Sequence, residues 1–306
     1  MRVIVIAFLI VFSSIVSAQN NDSDIRSGGN ITLGYKTLGV TVDPEHGGRI
    51  VSLRYEGKEF LTGKDVHPSN YGSTLWPAPQ SLWNWPPPVI LDYEEYKEDQ
   101  TENEITLVSK KDKKLGFRFI KNLSIDTADT SLVIKYTMEN ISNKEVAAAP
   151  WEITRMPKGG VVCFPKGSSN PRAKTFDPIP YSEFNGILWY KNDKDEELKN
   201  HLLSVSDGSE GWLAYILDGY LYLKIFEDVP AGEQFEGEGE IPVYVSPSHN
   251  YVEIEAQGKK NNLKAGASLE WKMKWIIRKL PERITEVYQN DQVIKFIHSI
   301  TSHIKI

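Results

Sequence analysis

The chain has 306 residues, 41 acidic and 35 basic side chains, a formal net charge of −6, and 11% aromatic residues that include eight tryptophans. A mildly acidic balance with scattered basic residues argues against nucleic acid as the main partner. The single cysteine, Cys163, excludes an intramolecular disulfide, so packing has to supply the stability. Cys163 lies in the apolar run 161–164 and is read as a small buried hydrophobe, not as a nucleophile.

In chain order, Arg2, the apolar run 3–15 and the small residues Val16-Ser17-Ala18 before Gln19 read as a secretory signal, with a retained N-terminal anchor as the alternative, so residues 1–18 are set apart from the fold. The run is too short, and the residues after it too polar, for a membrane-spanning helix. This pattern implies a secreted or periplasmic protein with no stable membrane insertion once the signal is removed. Residues 19–29 form a polar, flexible leader. No linker rich in glycine, serine or proline divides 30–306, which is read as one domain.

Strand-like segments then recur almost everywhere. Residues 31–42 alternate. Residues 50–55 and 58–61 flank Glu56-Gly57, and 212–217 and 220–226 flank Asp218-Gly219, both compact hairpin signals. In 115–125 the alternation places Leu115, Phe117, Phe119, Lys121 and Leu123 on one face. Further strands are expected at 131–138, 161–164, 187–190, 242–245, 251–257 and 269–277. A helix is expected from Pro281 to about Ile300, on the spacing of Ile284, Val287, Tyr288, Val293 and Ile297. Many antiparallel strands with little helix predict an all-β fold, a large antiparallel β-sandwich with one C-terminal helix. Residues 62–90 and 165–185 are too long for simple turns and are read as binding loops or lids.

Residues 251–257 carry two faces. Val252, Ile254 and Ala256 point towards a core, and Tyr251, Glu253, Glu255 and Gln257 point away. Two carboxylates, an amide and a ring in a row suit a polyhydroxylated ligand, whose hydroxyls need paired donors and acceptors. The same pattern also describes an ordinary solvated face. Residues 70–88 contain Asn70, Trp76, Trp83 and Trp85 on a stretch stiffened by prolines at 77, 79, 86, 87 and 88. These indoles either stack on pyranose rings or plug one end of the sandwich. In Pro150-Trp151-Glu152-Ile153-Thr154-Arg155 an extended run puts Trp151, Ile153 and Arg155 on one face and Glu152 on the other. Glu152 is either a general acid or hydroxyl acceptor, or a structural partner of Arg155. The six histidines are scattered without metal-ligand spacing, so no zinc site is expected and no metal ligand is assigned, while loop carboxylates such as Asp177 leave a divalent ion open. No nucleophile elbow, phosphate-binding glycine loop or dinucleotide fingerprint occurs, so no cofactor is expected. His67 opens the aromatic segment and His249 precedes the carboxylate strand; each is either a proton-exchanging group or a structural residue at a strand end.

Gly47-Gly48-Arg49-Ile50-Val51-Ser52-Leu53 followed by Gly57-Lys58-Glu59-Phe60-Leu61 resembles the opening hairpin of the galactose mutarotase-like (aldose 1-epimerase-like) β-supersandwich proteins. Ile254-Glu255-Ala256-Gln257, with Asn262 and the turn 263–266, is similar to their C-terminal signature. Residues 70–88, 149–160 and 211–226 look closest to a secreted branch of that superfamily, the DUF4380 type. The resemblance implies a sugar cleft in which Glu255 is the general base at the anomeric hydroxyl, with Gln257 beside it. The sequence departs from the family where a histidine would protonate the ring oxygen: 140–155 contains none and offers Trp151-Glu152 instead. For the family's upstream histidine motif, His67 is the nearest candidate. A glutamic acid can replace that histidine only if burial or a second carboxylate raises its pKa, as a paired Glu152 and Glu255 would.

Two functions lead, with lyase or hydrolase chemistry and a purely structural role as the remaining alternatives. One is an aldose 1-epimerase-like isomerase acting on a mono- or oligosaccharide. Glu255 is then its base, Glu152 or His67 its acid, Arg155 and Gln257 orient hydroxyls, and Trp83, Trp85 and Trp151 stack. Asn70 and His249 are further ligand-binding candidates. The other is a non-catalytic glycan-binding module.

Overall fold

The computed structural model describes residues 29–195, 197–247, 251–304 and 306. The expected signal, the leader up to residue 28 and His249 lie outside the described residues. Among these residues two large antiparallel sheets form, one of eleven strands and one of ten. The first runs, edge to edge, Ile31–Tyr35, Leu38–Asp43, Arg49–Tyr55, Ser73–Ala78, Val146–Pro157, Tyr251–Gln257, Ile241–Val245, Leu202–Ser206 and Arg172–Ala173. Two short strands pair off that path. The second runs Ser182–Phe184, Ile187–Lys191, Val161–Pro165, Trp212–Leu217, Tyr220–Phe226, Ser268–Lys279, Ser131–Asn140, Phe117–Asp126, Glu104–Val108 and Lys97–Gln100. The all-β reading with a C-terminal helix therefore holds. No helix among the described residues is long and apolar enough to cross a membrane.

Period-two alternation sorts the side chains into layers. Phe117, Phe119 and Leu123 meet Val252, Ile254 and Ala256 in the main core between the sheets. Lys121 shares their face, as its register requires. Its ammonium is satisfied there by the carbonyls of Gly47 and Gly48 at 2.8 and 3.0 Å, and burial pulls its pKa down to about 7. Along Tyr220–Phe226 the odd-numbered Leu221, Leu223 and Ile225 face a second cluster with Val293 and Ile297 of the helix. The even-numbered Tyr222 and Phe226 enter the main core. Lys224 lies between them and so also points inward.

Both hairpin signals close as read: Glu56 and Gly57, and Asp218 and Gly219, all have positive φ, as a two-residue primed turn needs. Three expectations change. Residues 31–42 are not one strand but a hairpin, reversed at Lys36, whose φ is +52°. The long segment 62–90 contains a strand near the middle of the sheet, Ser73–Ala78, hidden from a sequence reading by Pro77 and the surrounding turn residues. It enters through Gly72 (φ +60°), where a Cβ would come within 2.2 Å of the Ile50 carbonyl oxygen. The helix begins at Asp291, not near Pro281. Gln289 at φ +53° and extended Asn290 break the chain, while Val287 and Tyr288 pack against the same apolar cluster without being helical.

The Asn290 side chain accepts the Gln292 amide at 2.7 Å and so caps that helix. Asn290→Ala is expected to lower stability by about 1 kcal/mol. Urea denaturation measures it, and an unchanged midpoint would contradict the capping role.

Candidate functional site

The outer face of the eleven-stranded sheet is built by register. The strand Val146–Pro157 lies between Ser73–Ala78 and Tyr251–Gln257, with Trp151 opposite both Trp76 and Gln257, Ile153 opposite Thr74 and Glu255, and Arg155 opposite Glu253. Tyr244 of the next strand stands opposite Glu253. Directly opposed residues of antiparallel strands point the same way. The rows across this face therefore read Trp76, Trp151, Gln257; then Thr74, Ile153, Glu255; then Arg155, Glu253, Tyr244.

This face is not solvated. Glu255 is 2% exposed, and Glu253, Gln257 and Arg155 are buried with it. Beside this polar row lies a cluster of indoles. Trp76 and Trp151 pack edge to face at 5.4 Å, and Trp83 adds its ring to both. Trp76 donates its indole N–H to Asp92 at 2.7 Å, and Trp83 donates to the Pro77 carbonyl at 2.8 Å. Outermost, Trp85 meets Trp76 at 6.1 Å and remains 60% exposed.

The two carboxylates have different partners. Arg155 donates from Nε to Glu253 at 2.8 Å and from Nη1 to the Thr74 hydroxyl at 3.0 Å. Glu255 receives the Trp151 indole N–H on Oε2 at 2.6 Å. Burial pushes the Glu255 pKa up to about 8, and the neighbouring Glu253 charge adds to the rise. The Trp151 bond and the charges of Arg155 and Lys224 oppose it. Burial also raises Glu253, against the pull of Arg155. Arg155 pairs with Glu253 alone, which leaves Glu255 as the carboxyl of raised pKa without an ion pair. Such a group gives and takes a proton near neutral pH. Two donors on the same face, Arg155 Nη2 and Gln257 Nε2, are buried and have no hydrogen-bond partner among the described residues.

The structure brings together Glu255, Arg155, Gln257, Trp83, Trp85 and Trp151, and turns Glu152 away from them. Glu152 points to the opposite face, as strand parity demands. It pairs there with Lys224 from the facing sheet and accepts the hydroxyls of Ser73 and Thr154 at 2.6 and 2.5 Å. It therefore neither converges with Glu255 nor pairs with Arg155. The second carboxylate beside Glu255 is Glu253. His67 accepts the backbone amides of Ser69 and Asn70 on Nδ1 at 3.1 and 2.8 Å, and its ring lies 6.0 Å from Tyr251. Asn70 hydrogen-bonds Tyr251 through its side chain. Tyr251 is four strand positions from Glu255, roughly 13 Å, so the His67 ring packs at the far end of the carboxylate strand from Gln257.

Sequence reasoning placed Glu253 in the polar row beside Glu255 without giving it a role of its own, and overlooked Tyr244, Phe176, His201, Asp92 and Thr74. Strand parity marks Glu253, and Tyr244 alternates with the core residues Val243 and Val245. Phe176, His201 and Asp92 carry no such signal. Elsewhere, Asp43, Glu45 and His46 bring possible ligand atoms within 4.8 Å of one another. Asp43 is already engaged there by the His46 ring and the Glu45 amide.

No protein-family model matches the sequence, and no curated protein matches it. Solved structures do match. A putative aldose 1-epimerase from Escherichia coli K12 superposes with a TM-score of 0.55 at 13% identity, covering 81% of this chain and 98% of that one. A galactose mutarotase-like protein from Lactobacillus casei gives 0.57 at 14% identity, covering 82% and 100%. A putative aldose 1-epimerase from Klebsiella pneumoniae gives 0.55 at 10% identity, covering 92% and 87%. At these identities the likeness speaks for the architecture: the chain has the galactose mutarotase-like β-sandwich fold.

Proposed function

We propose that the outer face of the eleven-stranded sheet binds a sugar, with Glu255 as the proton-exchanging group and Trp85 as the exposed stacking surface. The observation that carries this reading is the buried Glu253–Glu255 pair, of which Arg155 neutralises only one member. A carboxyl left with a raised pKa beside an indole cluster suits proton exchange with a sugar hydroxyl. The unpartnered donors of Arg155 and Gln257 suit hydroxyl oxygens. The fold is shared with proteins described as aldose 1-epimerases and galactose mutarotase-like, which supports the same ligand class.

A second reading, capture without turnover, is favoured by one observation. The strand positions around Glu255 on this face are Trp151, Ile153, Arg155, Glu253 and Gln257, none of them a histidine. The N-terminal pattern supports a location outside the cytoplasm, and residues 70–88 support the DUF4380-type branch.

Saturation-transfer NMR against hexoses, uronic acids and oligosaccharides, with anomer exchange followed in the same tubes, separates the two readings. Binding with faster exchange establishes the enzyme, and binding alone establishes capture. Silence across the panel sinks the proposal. Trp85→Ala is expected to weaken binding by about 1–3 kcal/mol with an unchanged melting temperature, since the ring is mostly exposed.

A further inference from the structure

A second aromatic surface lies on the same face, on the far side of Glu255 from Trp85. Tyr244 stands beside Glu253, and its hydroxyl bonds His201 Nδ1 at 2.5 Å while the two rings stack at 5.6 Å. Phe176 packs on both, at 5.0 Å from His201 and 6.0 Å from Tyr244, and is 41% exposed. The segment that carries it is tied to the sheet through the Asp177 amide on the His201 carbonyl at 3.2 Å and the Leu203 amide on the Asp177 carbonyl at 2.9 Å. Phe176 is therefore an anchored ring presented to solvent, as Trp85 is on the other side.

The register gives the spacing. Between Trp76, which supports Trp85, and Tyr244, which supports Phe176, lie three strand-to-strand steps and four residues along the strands, a diagonal of roughly 20 Å. Glu255 falls on that diagonal, roughly 12 Å from the first position and 8 Å from the second. A single pyranose ring cannot touch both platforms, whereas a chain of about four rings spans them with an internal unit over Glu255.

We propose that the ligand of this face is an oligosaccharide or an internal stretch of a polysaccharide, with Phe176, stacked on His201 and Tyr244, forming a distal sugar subsite. This rests on the sugar-binding reading above and specifies its substrate class.

Calorimetry with gluco-, manno-, galacto- and xylo-oligosaccharides of one to six units tests it. In the series that binds, affinity is expected to rise with length up to about four units and then level. Phe176→Ala is expected to weaken the tetramer about tenfold while leaving the monosaccharide unchanged, with no loss of melting temperature. Affinity independent of length overturns the extended site but leaves the sugar reading standing, as does a tetramer indifferent to Phe176→Ala. Failure of every saccharide to bind overturns the sugar reading itself, and the distal subsite with it.

Discussion

Lys224→Met is expected to cost about 3–5 kcal/mol of folding free energy. The ammonium of Lys224 is fully buried between the sheets, where it pairs with Glu152 and donates to the Ile254 carbonyl at 2.7 Å. Removing it leaves the Glu152 carboxylate in the core with only the hydroxyls of Ser73 and Thr154 as donors. A charge that loses its partner in a medium of low dielectric costs far more than the pair contributed, because neither charge was cheap to bury. The double variant Lys224→Met with Glu152→Leu should therefore recover most of the loss. Urea denaturation of the parent, the single and the double variants measures this. A double variant as unstable as the single one would mean that the damage is a packing defect and not an orphaned charge.

Glu255→Gln is expected to remove sugar turnover by about 10²–10⁴-fold where turnover exists, and to stabilise the protein at alkaline pH. Glu255 titrates near 4.5 in an unfolded chain and near 8 when folded. Between those values the folded protein holds a proton that the unfolded chain has released, so stability falls as pH rises through this window. Glutamine mimics the protonated form at every pH. The variant should stay within about 1 kcal/mol of the parent near pH 5 and exceed it above pH 8 by an amount on the order of 5 kcal/mol. Glu240, also raised to about 8 by burial, keeps a similar slope in both proteins, so the variant's profile flattens without becoming level. Lys121 acts in the opposite sense above pH 7, and equally in both. Unfolding free energies at pH 5, 7 and 8.5 check the prediction. Parallel profiles would place the Glu255 pKa in the ordinary carboxylate range and remove the case for proton exchange.

These two glutamates show how far a sequence reading reaches. Parity alone put Glu255 on one face of its strand and Glu152 on the opposite face of its own, and both placements hold. Parity does not say which strands become neighbours. Pairing Glu152 with Glu255 as acid and base overlooked that Val146–Pro157 and Tyr251–Gln257 lie side by side in register, with Glu152 opposite Ala256. The carboxylate that does stand beside Glu255 was present in the sequence two residues earlier. Its importance appears only once Arg155 is seen to pair with it and leave Glu255 without a cation.

The aromatic residues divide in the same way. The indole segment 70–88 was legible as a site because tryptophans and prolines are rare enough to mark it. Trp76 belongs to a strand buried near the middle of the sheet, and Trp85 alone of the three indoles stays open. The second platform had no mark at all, since Phe176, His201 and Tyr244 come from three separate segments.

What the sequence determined by itself was the local alternation: which residues of each strand face a core, where the primed turns reverse the chain, and hence an all-β sandwich with a helix at its C-terminal end. These features arise from backbone geometry, which repeats every two residues and needs no distant partner. Strand order, the inward pairing of Lys224 with Glu152, the raised pKa of Glu255 and the assembly of two aromatic platforms were decided by tertiary structure alone. Each depends on which groups from remote parts of the chain share a region without water, and there burial and neighbouring charge, not residue type, set what a side chain can do.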